Sequence, residues 1–195
     1  MQTRWGDREA RRRDIVRAGL ALFDEDGLPA LQMREVARGA GIALGTVYRY
    51  FPTKESLYAA MYAARLREFV GGIRQTLAGT DDFETVFVAV ATSYRDMYVA
   101  FGRDLEVLSP VGGSEPVDPE LFDAAVGVWA ALRGIVERAG ARDPDLSMAA
   151  LWSAVIGLAG QFTTVRHELH AYSWDDATRY TARLYVSGLA GERDG

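Results

Sequence analysis

The chain has 195 residues, of which 22 are Lys or Arg and 27 are Asp or Glu, giving a formal net charge of −5. Apolar residues make up 49% and charged residues 25%, a composition that is ordinary for a folded globular protein and excludes a disordered one. The sequence has no cysteine, which excludes a disulfide framework and a thiolate metal site and agrees with a reducing cytoplasm.

The apolar residues of the N-terminal part recur at helical spacing, and no alternating strand pattern appears. This pattern predicts helices throughout. Gly27 follows the first helix where a C-terminal cap belongs, and Thr53 is placed to cap the fourth. The N-terminus has no apolar stretch of the kind that a secretory signal needs. The predicted helices run from about Arg8 to Asp26, Gln32 to Ala40, Leu44 to Tyr50 and Lys54 to about Leu77.

The rest of the chain continues this pattern, with a cap expected at Asp82. A short apolar piece, Leu105–Leu108, precedes a segment rich in helix breakers, Ser109–Pro116. The predicted helices run from Phe83 to Phe101, Asp118 to Ala139, Ser147 to His170 and Trp174 to Leu189. We therefore predict an all-α fold of about nine helices, with an N-terminal domain over residues 1–53 and a larger helical domain over residues 54–195.

The stretch from Leu146 to Val165 carries no charge and is long enough to span a bilayer. Five polar side chains and two glycines interrupt it: Ser147, Ser153, Gln161, Thr163, Thr164, Gly157 and Gly160. We interpret the stretch as a helix packed between other helices, and we expect a soluble, cytoplasmic protein with no membrane partner.

Residues 33–51 have the pattern of a helix-turn-helix. Val36 and Ala37 form the inner face of one short helix, and Gly41 ends it at a position suited to a left-handed conformation. Val47 and Phe51 form the inner face of the next helix, which leaves its other face free to enter the major groove of DNA.

The outward residues of this second helix have side chains suited to DNA. Gly45 allows close backbone approach, Thr46 suits a thymine methyl or a phosphate, and Arg49 suits a base edge or the backbone. Hydroxyl groups of Tyr48 and Tyr50 suit phosphates. The predicted DNA-binding residues are Arg34, Leu44, Gly45, Thr46, Tyr48, Arg49, Tyr50 and Lys54.

The run from Arg34 to Ala37, followed by the run from Ala40 to Leu57, resembles the signature of the TetR family of bacterial transcriptional regulators. The resemblance covers residues 12–60. It implies that Arg34, Thr46, Tyr48 and Tyr50 lie on the DNA face and that Lys54 grips a phosphate. Gln32, Met33 and Ala43 depart from the family pattern, because capping Ser or Thr side chains are usual there.

The distribution of charge agrees with DNA binding at the N-terminal end. Residues 1–70 carry a net charge of +3 and residues 71–195 carry −8. A positively charged N-terminal part joined to an acidic remainder fits a protein that binds DNA phosphates with one end. The run Arg11-Arg12-Arg13 is open to two interpretations, a solvated helix start or an arm that touches phosphate or the minor groove.

Small residues at helical spacing on the last two predicted helices suggest a close helix–helix surface. The family resemblance implies a homodimer through these helices, whereas packing within one chain explains the spacing equally well. The dimer is favoured because it would place two N-terminal domains on adjacent major grooves of DNA. The predicted interface residues are Ser153, Gly157, Gly160, Thr181, Leu184 and Gly188.

Large aromatic and Met side chains are frequent over residues 83–170, as in cavities that hold small molecules and as in ordinary cores. The predicted effector-binding residues are Tyr94, Met97, Phe101, Trp129, Trp152, Phe162 and Arg166. Gln161 and Arg166 would serve an anionic or carbonyl-bearing ligand, and Asp96 or Glu106 a cation.

We therefore predict a homodimeric repressor that a small lipophilic effector releases from a palindromic operator in double-stranded DNA, with no cofactor and no enzymatic activity. The first alternative is a ligand-independent or partner-controlled DNA-binding protein. The second is a small helical enzyme; His167 and His170 could hold a metal, although they lack the spacing of a zinc protease helix.

Overall fold

The computed structural model describes residues 4–27, 29, 31–101, 118–169 and 171–193. Eight α-helices and no strand lie within these ranges, which confirms the all-α prediction. The helices are α1 Arg4–Asp26, α2 Met33–Gly39, α3 Leu44–Tyr50, α4 Lys54–Gly79, α5 Phe83–Phe101, α6 Pro119–Arg138, α7 Pro144–Phe162 and α8 Trp174–Arg193, with a 3₁₀ helix over Val165–Leu169 between the last two.

The described residues divide into two compact units. The first, here called the head, holds the described residues up to Leu66 and those from Asp118 to Ala124. The second, here called the body, holds the remaining described residues. Helices α4 and α6 each contribute to both units, and a domain boundary at residue 53 stays a prediction.

The core of the head is built from one apolar face of each helix. α2 packs against α1 and α3. Ile15 of α1, Val36 of α2, Val47 of α3 and Leu57 of α4 are all fully buried. Gly27 ends α1 with a φ of 73°, and its N–H donates to the carbonyl of Phe23 at 2.9 Å, as the predicted C-terminal cap requires.

The core of the body forms where α5 packs against α7 and α8. Phe87, Met148 and Val155 have 1% or less of their surface exposed. At the edge of this core the Trp174 indole N–H donates to the Thr92 hydroxyl at 3.0 Å, and the Arg95 guanidinium lies 4.7 Å from the Trp174 ring centroid. Polar contacts therefore join α5 to the first turn of α8.

Aspartate side chains cap the long helices of the body. Asp82 accepts hydrogen bonds from the Thr85 backbone N–H at 2.9 Å and the Thr85 hydroxyl at 2.6 Å, which confirms it as the cap of α5. These bonds, first the one from the Thr85 side chain, hold the pKa of Asp82 below its ordinary value. Asp143 accepts from the Leu146 N–H at 3.0 Å in the same way.

The predicted helix from Ser147 to His170 was wrong at both ends. α7 begins at Pro144, because Asp143 caps it and proline suits the first helical position. It ends at Phe162, where the Thr163 hydroxyl donates to the Ala159 carbonyl at 2.7 Å and the chain tightens into the 3₁₀ helix. His170, Glu106, Leu105–Leu108 and Ser109–Pro116 lie outside the described residues.

One helix in the described part of the chain, Pro144–Phe162, is long and apolar enough to cross a membrane by length and composition. Only 28% of its most apolar window is buried, although α5, α8 and the 3₁₀ helix pack against it. The helix therefore keeps a large exposed face within a single chain.

Candidate nucleic-acid interface

The turn between α2 and α3 is closed by backbone hydrogen bonds around Gly41. This glycine has a φ of 64°, a conformation that side chains with a Cβ rarely adopt. The N–H of Ile42 donates to the Ala37 carbonyl at 3.0 Å, and Ala37 is only 4% exposed. The structure thus has the short glycine-centred turn predicted for a helix-turn-helix.

The inner face of α3 is fixed to the core of the head, since Val47 and Phe51 have 0% and 1% of their surface exposed. The outer face is open: Gly45 and Arg49 are exposed, and Tyr48 is 46% exposed. Leu44, Thr46 and Tyr50 are half-buried. A Cβ at Gly45 would meet no heavy atom within 4 Å, so the open space beside its backbone is available to a ligand.

Helices α2 and α3 start without side-chain caps, as the departures at Gln32 and Ala43 predicted. α4 starts with a reciprocal pair instead. The Ser56 N–H donates to the Thr53 hydroxyl at 3.0 Å, and the Thr53 N–H donates to the Ser56 hydroxyl at 3.2 Å. Lys54, half-buried, is the first residue of this capped helix.

Exposed cationic side chains occur on both α2 and α3. Arg34 of α2 is exposed and makes no ion pair in the described part of the chain, whereas Arg38 pairs with Glu35. The Arg49 guanidinium lies 5.9 Å from the Tyr50 ring centroid, so the two side chains share one side of α3. A DNA-contacting role for Arg34 and Arg49 stays a prediction.

Arg12 joins three elements of the head. Its guanidinium lies 4.8 Å from the Phe51 ring centroid and forms an ion pair with Glu120 in the first turn of α6. The middle of the arginine run is therefore bound within the head. Sequence reasoning did not predict these partners, because 39 and 108 residues separate them from Arg12 in the chain.

The predicted dimer residues lie on the exposed side of α7 and α8. Ser153, Gly157 and Gly188 are exposed, Leu184 is 57% exposed, and Gly160 and Thr181 are half-buried. Exposed apolar side chains that the sequence reasoning left out extend the stripe on both helices. They are Leu146 at 69%, Ile156 at 42% and Tyr180 at 59%.

A helical count from Ser153 would have found Leu146 and Ile156, since both fall on the same side of α7. We call the exposed faces of α7 and α8 together the pairing face. An open cleft of about 670 Å³ lies between the end of α7 and the start of α8. Its walls include Gln161, Tyr172 and Thr181, so the cleft opens onto the pairing face.

The predicted effector residues fall into separate groups. Tyr94 and Trp152 meet edge to face with ring centroids 4.6 Å apart, and Phe162 meets Trp174 at 5.5 Å. Met97 is half-buried and Phe101 is 2% exposed, whereas Trp129 is 48% exposed and Arg166 is exposed on the 3₁₀ helix. Asp96 forms an ion pair with Arg95 at 2.8 Å.

A small enclosed cavity lies among the described residues of the body. It is lined only by apolar and aromatic side chains, among them Trp152, Met148 and Leu132, and its volume is about 10 Å³. A space of this size holds at most one water molecule. The role of the predicted effector residues stays a prediction.

No cluster of three or more metal-binding side chains occurs among the residues that the structure describes. His167 is exposed, and its Nδ1 lies 2.8 Å from the Thr164 carbonyl oxygen. One ring nitrogen of His167 is therefore engaged by the backbone just after the end of α7.

Comparison with known sequences supports the helix-turn-helix. Residues 15–61 match the model of bacterial regulatory proteins of the tetR family. The HTH-type transcriptional repressor KstR2 of Rhodococcus jostii is 34% identical over 88 residues, which are 45% of this chain and 43% of that protein. The chain thus spans less than half the length of this curated relative.

Solved structures extend the likeness to the whole fold. A protein of unknown function from Rhodococcus sp. RHA1 has a TM-score of 0.72 at 16% identity, covering 92% of this chain and 95% of that one. The transcriptional regulator FadR of Bacillus subtilis, solved in complex with stearoyl-CoA, has a TM-score of 0.60 at 18% identity, covering 90% and 98%. The helix-turn-helix of this chain is thus similar to that of the tetR family of bacterial regulatory proteins, and its overall fold is one that solved regulators share.

Proposed function

We propose that this protein is a ligand-responsive transcriptional regulator that binds DNA as a homodimer, acting as a cytoplasmic repressor that a small lipophilic effector releases from a palindromic operator. The observation that carries the proposal is the geometry of α3. Its inner face is fixed by Val47 and Phe51, and its outer face presents Gly45, Tyr48 and Arg49 to solvent.

A helix held in this way suits the major groove. Its exposed side chains reach base edges while neighbouring cations and hydroxyl groups bind phosphates. Arg34 and Lys54 supply positive charge on either side of α3 in sequence, and the capped start of α4 orients Lys54. Repression is the activity named for the relative from Rhodococcus jostii.

The pairing face supports the homodimer. Exposed side chains such as Leu146, Ile156 and Leu184 leave much apolar surface in water, and a second copy would cover it. The exposed glycines Gly157 and Gly188 have no heavy atom within 4 Å of a Cβ position, so another helix could approach them closely. Two heads would then read half-sites about 34–36 Å apart.

The effector would act through α4, because this continuous helix contributes to both units. Binding in the body shifts the population of head arrangements only if the effector prefers the arrangement that binds DNA less well. The solved complex of the Bacillus subtilis regulator with stearoyl-CoA makes long-chain acyl-CoA esters the first compounds to test.

One observation favours a second candidate function, a DNA-binding regulator without a small ligand. Among the described residues, the cavity beside Trp152 has a volume of about 10 Å³ and no room for an effector unless Trp152 and its neighbours move. Thermal unfolding with a panel of acyl-CoA esters and other lipophilic compounds separates the two candidates. A rise in Tm that depends on compound concentration supports the sensor, and a flat result across the panel supports the ligand-independent regulator.

DNA binding itself is tested by footprinting on DNA that flanks the gene and by selection of duplexes from a random library. We expect protection of a palindrome, and about tenfold or greater loss of affinity in Tyr48→Ala, whose side chain reaches the groove. Phe122→Ala is the matched control, because Phe122 is a 59% exposed aromatic residue on α6 and not part of the helix-turn-helix. Absent binding, or binding that ignores salt, contradicts the proposal.

A further inference from the structure

We propose that Arg8 and Arg11, in the first turns of α1, form a second DNA-binding site that grips backbone phosphates beside the groove read by α3. This inference rests on the proposed function. It adds residues outside the helix-turn-helix pattern and outside the match to the family model, which begins at residue 15 of this chain.

The direction of α1 relative to α4 follows from three contacts within the head. Arg12 lies over the Phe51 ring at 4.8 Å, just before α4 begins. Further along, a Cβ at Gly19 would lie 2.8 Å from the sulfur of Met61, and Asp24 forms an ion pair with Arg65. From Arg12 to Asp24, contacts along α1 move forward from Phe51 to Arg65, so the two helices cross with roughly the same direction and approach closely where Gly19 meets Met61.

This arrangement places the first turns of α1 at the end of α4 where α3 ends. Arg8 precedes Arg12 by four residues, which carries it about 6 Å further past Phe51 along the helix axis. The start of α1 therefore lies on the side of the head that carries the end of α3 and Lys54.

Arg8 and Arg11 are available for a ligand at that end. Both are exposed, and neither has an ion pair or hydrogen bond in the part of the chain that the structure describes. They are three residues apart and so are neighbours on the helix surface. Arg12 is different, because Phe51 and Glu120 already hold its guanidinium. Its role is to fix α1 so that the other two arginines keep their positions.

The chemistry of the site points to phosphate. Two guanidinium groups present planar arrays of N–H donors that match phosphate oxygens in a bidentate manner. Their contacts would set the position and affinity of the head on DNA without reading sequence. The expected ligand is therefore the sugar–phosphate backbone of the operator, outside the bases that α3 contacts.

The test compares three full-length variants on the duplex that the wild-type protein selects from a random library. Arg8→Gln/Arg11→Gln removes both charges, and Arg8→Lys/Arg11→Lys keeps them. Arg17→Gln is the matched control, since Arg17 is an exposed arginine of the same helix, two turns further from the α3 end and paired with Asp14. Fluorescence anisotropy gives the Kd between about 50 and 200 mM salt, the range over which phosphate contacts weaken strongly.

We expect the double glutamine variant to bind about tenfold more weakly and its slope of log K against log salt to fall by about 1.8, or 0.9 for each phosphate contact. The lysine variant keeps most of the slope, the Arg17 control matches wild type, and preference for the selected duplex over a scrambled one is unchanged in all three. Equal slopes for the glutamine variant and the control overturn this proposal alone, as does a lysine variant as weak as the glutamine one. A wild-type protein that selects no duplex overturns the proposed function as well.

Discussion

The outer face of α3 and the pairing face of α7 and α8 are both exposed, but they expose opposite chemistry. α3 exposes Tyr48, Arg49 and the backbone of Gly45, while its inner face is buried in the core of the head. The pairing face presents leucine, isoleucine and glycine, with Leu146 69% and Leu184 57% exposed. A polar, cationic face suits a hydrated polyanion, whereas an apolar face is stabilised only when another apolar surface covers it.

This difference predicts that binding at α3 depends strongly on salt, whereas association through the pairing face does not. Phosphate binding at α3 weakens as salt rises, because condensed counterions are released when DNA is bound. Burial of the pairing face depends mainly on the area removed from water and changes little over the same range. Changes confined to one face therefore separate the contribution of each face to operator affinity.

The largest effect is expected from Ile156→Arg/Leu184→Arg on the pairing face. Two buried charges would oppose association, and a single head would lose the second binding event, which is worth about 10²- to 10⁴-fold in affinity. Light scattering should show a monomer, and anisotropy should show the weaker operator binding. Val99→Arg, at a 63% exposed apolar position of α5, is the control. A double variant that remains dimeric contradicts the assignment of this face.

A smaller effect is expected from Gly45→Ala on α3. The new methyl group meets nothing in the protein, and alanine in place of a helical glycine stabilises by about 0.5–1 kcal/mol. DNA that approaches the backbone closely should instead be displaced, with a loss of affinity of about tenfold, or 1.4 kcal/mol.

Gly71→Ala is the matched control for this change. Gly71 is also helical and also has no heavy atom within 4 Å of its Cβ position, but it lies in the body part of α4. Both variants should gain thermal stability, and only Gly45→Ala should lose affinity. Full operator binding by Gly45→Ala would mean that α3 does not approach the duplex at this residue.

The smallest effect concerns acid stability. The pKa of Asp82 is lowered by its bonds to Thr85 and that of Asp176 by its bonds to Ser173. Because the folded pKa lies below the ordinary value of 3.8, the stabilisation is present above that value and is lost as pH falls through the lowered pKa. Asp82→Asn should therefore lower the thermal stability of the protein modestly at pH 7. The difference in stability between this variant and wild type should become smaller toward pH 3.

Thermal unfolding followed by circular dichroism at a series of pH values measures this gap. Asp81→Asn is the control, because it removes a neighbouring carboxylate that does not accept the Thr85 bonds. A gap between wild type and Asp82→Asn that stays constant as pH falls would show that the cap acts through geometry alone.

Local sequence was sufficient for most of the head. Gly41 could be placed as the turn because its left-handed backbone is a property of one residue. Val47 and Phe51 could be assigned to the core because helical spacing fixes which side chains share a face. The missing caps at Gln32 and Ala43 were also predictable, since a cap depends on one side chain.

The errors came where several local signals competed. The helix expected to end at His170 stops at Phe162, because Thr163 and Thr164 bond back to carbonyls and the helix narrows to a 3₁₀ turn. A run of apolar residues alone does not reveal such a stop. In the same way, aromatic composition did not distinguish Tyr94, which is 7% exposed, from Trp129, which is 48% exposed.

The sequence by itself determined the helix-turn-helix, the positive charge of residues 1–70 and the small residues of the pairing face, because each depends on side-chain type and short spacing. Only the tertiary structure decided that Arg12 lies between Phe51 and Glu120, and that α1 crosses α4 where Gly19 meets Met61 and Asp24 pairs with Arg65. These arrangements join residues far apart in the chain. They depend on how whole helices pack, which no short stretch of sequence specifies.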